Sequence, residues 1–93
     1  MISLQKILDI PLEQTSDGTI RIKGTRINLE SVIYSFKQGD CPTEILESFP
    51  TLSLSNIYGA IYYYLEHVDL IEQYLKDQDE ESRELRRVFE SRS

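Results

Sequence analysis

Residues 29–67 read LESVIYSFKQGDCPTEILESFPTLSLSNIYGAIYYYLEH and contain three segments with the spacing of amphipathic helices. The first segment has apolar side chains at positions i, i+3, i+4 and i+7, which is the pattern of a helix that faces a core. These side chains are Leu29, Val32, Ile33 and Phe36. We expect this helix to follow Asn28 as its N-cap and to end at Gln38, because Gly39 provides the usual stop.

The second and third helices are marked by two prolines and a serine. Pro42 suits the first position of the second helix, with Cys41 at the cap, and Pro50 prevents its continuation. The third helix is predicted to follow Ser53 as N-cap and to extend to about His67. Its predicted inward stripe consists of Leu54, Ile57, Ala60, Ile61, Tyr64 and Leu65. Its predicted outer side consists of Ser55, Asn56, Tyr58, Gly59, Tyr62, Tyr63 and Glu66.

A β-hairpin is predicted before these helices. Residues 16–18, Ser-Asp-Gly, separate two β-prone runs at residues 12–15 and 19–22. Glycine accepts the positive φ that tight hairpin turns need. Nearer the N-terminus, a short helix or turn that ends at Pro11 is indicated by Leu4, Ile7, Leu8 and Ile10.

A fourth helix and a helical arm are predicted beyond residue 67. The fourth helix is indicated by Val68, Leu70, Ile71, Tyr74 and Leu75, after a turn or kink near residues 67–69. From Lys76 the composition turns acidic, which indicates a solvated link at residues 77–82 and then an amphipathic arm. We therefore predict a mainly α fold, with a small N-terminal β-hairpin, a helix-turn-helix-like core of three to four helices and a C-terminal helical arm. The single domain would span residues 1–76, and the link and arm would span residues 77–93.

Length and charge limit the classes to which the chain can belong. Ninety-three residues with an apolar fraction of 40% form one small domain, which dimerisation commonly stabilises, so we expect a homodimer. The formal net charge is −6, and residues 41–68 carry three glutamates and no Lys or Arg. Strong nucleic-acid binding through bulk electrostatics is not expected, because such affinity comes mainly from cationic contacts to phosphate.

The sequence lacks the features of membrane, secreted and metal-binding proteins. No apolar run approaches the roughly 18 residues of a membrane span, and the N-terminus does not resemble a signal peptide. One cysteine forms neither an internal disulfide nor a cysteine zinc site. We therefore expect a cytoplasmic protein that binds no membrane, metal or cofactor.

The reactive side chains do not form a catalytic pattern. His67 is the single histidine, and Glu66 does not orient it, because neighbouring residues on a helix point about 100° apart. Cys41 has no base near it in the sequence, and no glycine-rich phosphate loop is present. We predict that the protein is not an enzyme and has no catalytic residues.

A DNA-binding surface is one candidate site, because the three-helix layout resembles domains that present a recognition helix. The polar candidates on the third helix are Ser55, Asn56, Tyr58 and Tyr62, and the basic candidates before it are Arg21, Lys23 and Arg26. The basic side chains would contact phosphate. The alternative is a small helical bundle whose tyrosines pack in a dimer interface, and residue chemistry favours it because the third helix has no cation.

A partner-binding arm is the second candidate site. Its candidate residues are Arg83, Leu85, Arg86, Arg87, Val88, Phe89 and Arg92. The three apolar members share one helical face, and arginine is suited to bidentate pairing with acidic groups such as those of a metal-binding active site. The alternative is a frayed, solvated C-terminus.

Four motifs, taken together, resemble the bacterial family called domain of unknown function 433. They are IKGTRI at residues 22–27, GDCPTEI at 39–45, FPTLSLSNI at 49–57 and AIYYYLEH at 60–67. In order and spacing the resemblance covers about residues 10–75. Two positions depart from the family's pattern, since Cys41 stands where a serine-like cap is usual and Asn56 where an acidic residue is frequent.

The resemblance implies a homeodomain-like helix-turn-helix fold with a preceding hairpin, often dimeric through the hairpin region. It also implies an antitoxin that accompanies a PIN-like ribonuclease, with residues 24–27 fixing the strand-to-helix corner. Our hypothesis is a non-catalytic, homodimeric antitoxin that contacts operator DNA weakly and blocks a PIN-like nuclease with its arm. The alternatives are a stand-alone helix-turn-helix transcriptional regulator and a dimeric interaction module that binds no nucleic acid.

Overall fold

The computed structural model of the protein describes the backbone of residues 10–91 and the side chains of residues 10–81 and 83. The predicted N-terminal helix or turn at Leu4, Ile7 and Leu8 lies outside the described residues, as does Arg92. The elements are β1 Leu12–Gln14, β2 Ile20–Ile22, α1 Leu29–Lys37, α2 Pro42–Ser48, α3 Leu54–Glu66 and α4 Val68–Ser91. The predicted fold class, mainly α with an N-terminal hairpin, is confirmed.

The hairpin pairs β1 with β2 in antiparallel register, so that Leu12 lies opposite Ile22. Gly18 takes a φ of +90° in its turn, as the Asp-Gly signal predicts. The Asp17 carboxylate accepts a hydrogen bond from the Thr15 hydroxyl and another from the Thr19 backbone N–H at 3.1 Å. These bonds stabilise the charged form and lower the pKa of Asp17.

The corner between β2 and α1 is held by the Thr25 side chain. Its hydroxyl donates to the Ile22 carbonyl at 2.9 Å and accepts from the Ile27 N–H at 3.1 Å. Gly24 has a φ of +77°, a conformation that other residues rarely adopt. Asn28 occupies the N-cap of α1 without a side-chain cap bond, and its backbone forms an isolated bridge with Arg21. The corner thus ties the hairpin to α1.

The helix starts follow the predicted cap positions. In α2 the Glu44 carboxylate accepts the Cys41 N–H at 3.0 Å, which lowers the pKa of Glu44. In α3 the Ser53 hydroxyl accepts the Asn56 N–H at 3.1 Å. Gly39 follows α1 with a φ of +102°. The first three helices therefore begin or end where local chemistry supplies partners for unpaired backbone groups.

The core lies between the hairpin, the first three helices and the start of α4. Its buried side chains are Ile22, Leu29, Val32, Ile33, Ile45, Leu52, Ile57, Ala60, Ile61, Tyr64, Ile71 and Leu75. The predicted inward positions of Leu54 and Leu65 are wrong, since these side chains are 38% and 56% exposed. Each helical residue turns by about 100°, and this rotation places both leucines beside the buried stripe of α3 rather than within it.

Helix α4 starts after a break at His67, whose φ of −135° and ψ of 47° end α3. The predicted fourth helix is thus present, and its first apolar side chains, Val68 and Leu70, are 40% and 61% exposed. The acidic residues 77–82 lie within α4 in helical conformation. No helix among residues 10–91 combines the length and apolarity needed to cross a membrane.

Helix α4 gives the molecule its long axis. Its 24 residues correspond to about 36 Å of helix. The principal extents are 61, 27 and 24 Å, and the radius of gyration is 15.2 Å. A compact chain of this length would have a radius of gyration of about 12 Å. Among the side chains described, the buried residues of α4 end at Leu75, so the rest of the helix extends past the core.

Candidate functional site

One side of α3 forms an uncharged apolar surface, which we call the outer flank. It consists of Leu54, Tyr58, Tyr62 and Leu65, which follow one another at helical spacing and are 38%, 58%, 56% and 56% exposed. The whole run from residue 48 to residue 65 contains no charged side chain. The two tyrosines are thus exposed as predicted, but their neighbours are leucines that apolar periodicity alone assigned to the core.

The opposite flank of α3 is covered by the hairpin. A Cβ atom on Gly59 would lie 2.6 Å from Pro11 Cγ and 2.7 Å from its Cδ, so only glycine permits this contact. Tyr63 is half-buried and lines a shallow groove of about 200 Å³ together with Ile10, Leu12, Glu13, Gln14 and Ile20. The sequence placed Gly59 and Tyr63 on the outer side of α3, and the structure corrects both, because the hairpin packs there.

Asn56, a predicted base-reading residue, is engaged at the start of α3. Its amide oxygen accepts the Ser53 N–H at 3.2 Å and the Ser53 hydroxyl at 2.9 Å. Recognition of adenine by asparagine uses the amide oxygen and nitrogen together. The side chain would have to give up its capping bonds to read a base, whereas its neighbour Ser55 is exposed.

The three predicted phosphate contacts differ in exposure. Lys23 and Arg26 are exposed around the Thr25 corner, while Arg21 is half-buried on β2 opposite Glu13. The Nε atom of Arg21 is buried and has no hydrogen-bond partner among the described residues. The Lys23 N–H donates to the Pro11 carbonyl at 2.8 Å, and Pro11 in turn covers Gly59. The basic corner therefore adjoins the hairpin-covered flank of α3, not the outer flank.

Glu72 fixes α4 to two other helices. Its carboxylate accepts the Tyr64 hydroxyl of α3 at 2.5 Å and the Lys37 ammonium of α1 at 2.9 and 3.1 Å. The Tyr64 hydrogen bond, and then that of Lys37, lower the pKa of Glu72. The same bonds to Glu72 raise the pKa values of Tyr64 and Lys37. Sequence spacing does not reveal this cluster, because Lys37 and Glu72 are 35 positions apart.

Tyr74 makes a second junction, two residues after Glu72 on α4. Its hydroxyl accepts the Ile20 N–H of β2 at 2.8 Å and donates to Glu30 Oε1 of α1 at 3.1 Å. Burial is the main cause that raises the pKa of Tyr74 to about 12. The apolar spacing of the sequence identifies Tyr74 only as a core residue. Its hydroxyl, however, is the hydrogen-bond partner of a backbone N–H of β2. Both junctions set the direction in which α4 leaves the core.

The predicted arm forms the C-terminal end of α4. Arg83 is exposed and pairs with Asp79 one turn earlier, at 3.1 Å between Nη2 and Oδ2. The backbone is helical at Leu85, Val88 and Phe89, which is the conformation their spacing requires. The side chains of these three residues and of Arg86 and Arg87 are outside the described part of the chain.

The two isolated reactive residues have ordinary surroundings. His67 is exposed at the end of α3, with its ring centroid 4.5 Å from that of Tyr63. Cys41 is exposed at the start of α2, with its sulfur 3.1 Å from the Thr43 hydroxyl. In the described residues neither is part of a cysteine–histidine or histidine–carboxylate pair of the kind that activates a nucleophile.

Comparison with known proteins gives one match. The model of a family described as protein of unknown function (DUF433) matches residues 13–64, which is more than half of the chain. The matched part begins in β1 and ends in α3, so it includes the corner and the outer flank up to Tyr62 but none of α4. No curated protein and no solved structure matches the chain with significance. On its hairpin, its corner and its first three helices, this chain belongs to the DUF433 family.

Proposed function

We propose that the protein is the non-catalytic antitoxin of a toxin–antitoxin pair, and that it binds a PIN-like nuclease with residues 77–93. The observation that carries the proposal is the length of α4. Among its described side chains the buried positions end at Leu75, yet the helix continues to Ser91, about 24 Å farther. Most helical stability in proteins comes from the packing of an amphipathic face on a surface, and a binding partner would supply that surface for this extension.

The composition of the arm supports an acidic partner. Residues 83–92 carry four arginines and two glutamates, whereas residues 69–82 carry one lysine and six acids. A planar guanidinium binds a carboxylate through two hydrogen bonds, and a nuclease that holds its metal with carboxylates offers such groups. Leu85, Val88 and Phe89 would anchor the helix on an apolar patch beside that site.

The position of the arm supports the same role. Glu72 and Tyr74 fix the start of α4 against three other elements, so the arm leaves the core in a defined direction. A fixed direction lowers the conformational entropy that is lost on binding. The core can then present the arm without itself contacting the nuclease.

Co-purification with the product of the neighbouring gene tests the proposal. We expect the full chain to co-purify with that protein and to block its cleavage of RNA. Double charge reversal, Arg86→Glu with Arg87→Glu, should abolish both effects. Lys23→Glu with Arg26→Glu is the matched control, because it also reverses two charges at exposed positions but lies outside the arm, and it should retain both effects. Failure of the full chain to co-purify would refute the proposal, and so would full capture by the double variant.

Weak operator binding is a second candidate role, favoured by the exposed Lys23 and Arg26. Both would contact phosphate, which gives affinity without sequence recognition and depends strongly on salt. We expect a gel shift of the protein's own promoter fragment at low salt that weakens with Arg26→Ala. Asn56→Ala should change it less, because Asn56 serves as part of the α3 cap. A complete lack of shift at low salt would exclude this role.

A further inference from the structure

We infer that the outer flank of α3 is the surface through which two copies of this chain associate. Eight large apolar side chains are exposed in the described part of the chain, and four of them form this flank. Two more, Val68 and Leu70, follow Leu65 within five residues. Exposed apolar groups scattered singly are ordinary, but a continuous group along one helix marks an interface.

Charge favours a second copy as the occupant of the flank. The chain has a net charge of −6, so two copies repel each other over most of their surfaces. The run at residues 48–65 is uncharged, and α3 as far as Leu65 can therefore approach its own copy across a two-fold axis without pairing like charges. The exposed acids Glu66 and Asp69 lie at one end of this surface, beside Val68 and Leu70. An apolar flank is self-complementary, since it requires no matching charge on the other side. Nucleic acid is disfavoured because the flank offers phosphate no cation.

The exposed area is sufficient for a weak dimer. If a large apolar side chain contributes about 200 Å² in full, the exposed fractions of the flank with Val68 and Leu70 sum to roughly 600 Å² per copy. Two copies would then bury about 1,200 Å², the lower limit of a specific protein interface. We therefore expect a dimer with a dissociation constant in the micromolar range.

This interface differs from dimerisation through the hairpin, which the family resemblance implies. The hairpin's exposed apolar surface is the groove next to Ile10, and two of the residues that line it are polar, Glu13 and Gln14. The outer flank is larger, and it lies on the side of α3 that the hairpin leaves uncovered. The association is independent of the arm and of the proposed nuclease.

Sedimentation of the full chain between about 1 μM and about 1 mM tests the inference. We expect wild type to pass from monomer to dimer in this range, and Tyr62→Glu to raise the dissociation constant at least about thirtyfold. Tyr34→Glu is the matched control, since Tyr34 is 42% exposed on α1 outside the flank. Ile10→Glu reports on the hairpin, because Ile10 is also 42% exposed. Both controls should dimerise as wild type does.

A second measurement keeps the test decisive if Tyr62→Glu fails to fold. In a mixture of isotope-labelled and unlabelled wild-type protein, intermolecular nuclear Overhauser effects should connect the rings of Tyr58 and Tyr62 to α3 of the other copy. A wild-type chain that stays monomeric at every concentration would overturn the inference. So would dissociation by Ile10→Glu but not by Tyr62→Glu, or intermolecular contacts confined to the hairpin.

Discussion

The hydroxyl of Tyr74 joins β2, α1 and α4 at one point. It accepts the Ile20 N–H at 2.8 Å and donates to Glu30 at 3.1 Å. Tyr74→Phe keeps the ring but leaves the backbone N–H without a partner, and this should lower the free energy of unfolding by about 1–2 kcal/mol. Chemical denaturation followed by circular dichroism measures the change. Tyr58→Phe, at a side chain 58% exposed, is the control and should stay within about 0.5 kcal/mol of wild type.

The same hydroxyl predicts a loss of stability at alkaline pH. Burial raises the pKa of Tyr74 to about 12, so folding favours its neutral form. That contribution is complete below the ordinary tyrosine pKa near 10 and is lost as the pH rises toward 12. The difference in stability between wild type and Tyr74→Phe should therefore narrow from pH 10 to pH 12. A constant difference over this range would contradict the assignment.

Glu72 predicts the opposite pH dependence. Its bonds to Tyr64 and Lys37 hold its pKa below the ordinary value of 4.5, so folding favours the charged carboxylate. The stabilisation is present above pH 4.5 and is lost as the pH falls through the lowered pKa. The stability advantage of wild type over Glu72→Gln should shrink in that acidic range. In NMR titrations, Tyr64→Phe and Lys37→Met should each raise the pKa of Glu72, and an unchanged pKa in either variant would contradict the corresponding contact.

At the scale of elements, the contact of Pro11 with Gly59 sets how closely the hairpin packs on α3. Alanine in the middle of a helix is normally more stable than glycine by about 1 kcal/mol. Here its Cβ would lie 2.6 Å from Pro11 Cγ, and overpacking of this kind costs about 1–3 kcal/mol. We therefore expect Gly59→Ala to lower the free energy of unfolding, as measured by denaturation.

The control for this prediction removes the other half of the contact. In a Pro11→Ala background the ring atoms that would clash are gone, and Gly59→Ala should then stabilise α3 by about 1 kcal/mol, the ordinary helix-propensity difference. Whether Gly59→Ala raises or lowers the free energy of unfolding thus depends on Pro11. An equal effect in both backgrounds would show that the hairpin does not limit the space at Gly59.

Most element boundaries follow from local chemistry, and for that reason the sequence predicts them well. Pro42, Ser53 and Gly39 affect only the backbone within one helical turn, and the helices begin or end beside them. The errors concern tertiary contacts. Leu54 and Leu65 are apolar and regularly spaced, but periodicity does not state how wide the buried stripe is. Similarly, no local pattern reveals that Pro11 covers Gly59.

The candidate surfaces were predictable only where exposure depends on local structure and not on tertiary contacts. The exposure of Tyr58 and Tyr62 follows from their positions on the helical wheel of α3. The exposure of Lys23 and Arg26 follows from their place at the corner between β2 and α1. Asn56 looked free to read a base, yet a serine three residues earlier binds its amide oxygen. The direction of α4 depends on Glu72 and Tyr74, whose partners lie far away in the sequence, so composition alone could not provide it.

At the scale of the whole molecule, the core and the end of α4 should be separable in stability. In the part of α4 whose side chains are described, the buried ones end at Leu75, and the two junctions lie at Glu72 and Tyr74. A chain that ends at residue 76 keeps all of them. We expect it to unfold cooperatively, with a free energy of unfolding within about 1 kcal/mol of the full chain.

Two further measurements make this last prediction specific. The shortened chain should lose helical circular dichroism in proportion to residues 77–91, while its near-ultraviolet signal from the buried tyrosines stays the same. In the full chain, backbone amides beyond residue 80 should exchange with solvent faster than those around Ile71, because nothing buried holds the helix there in the described part of the chain. If the shortened chain unfolds, or if the end of α4 is protected as strongly as Ile71, the arm is part of the core. It would then not be free to receive a partner.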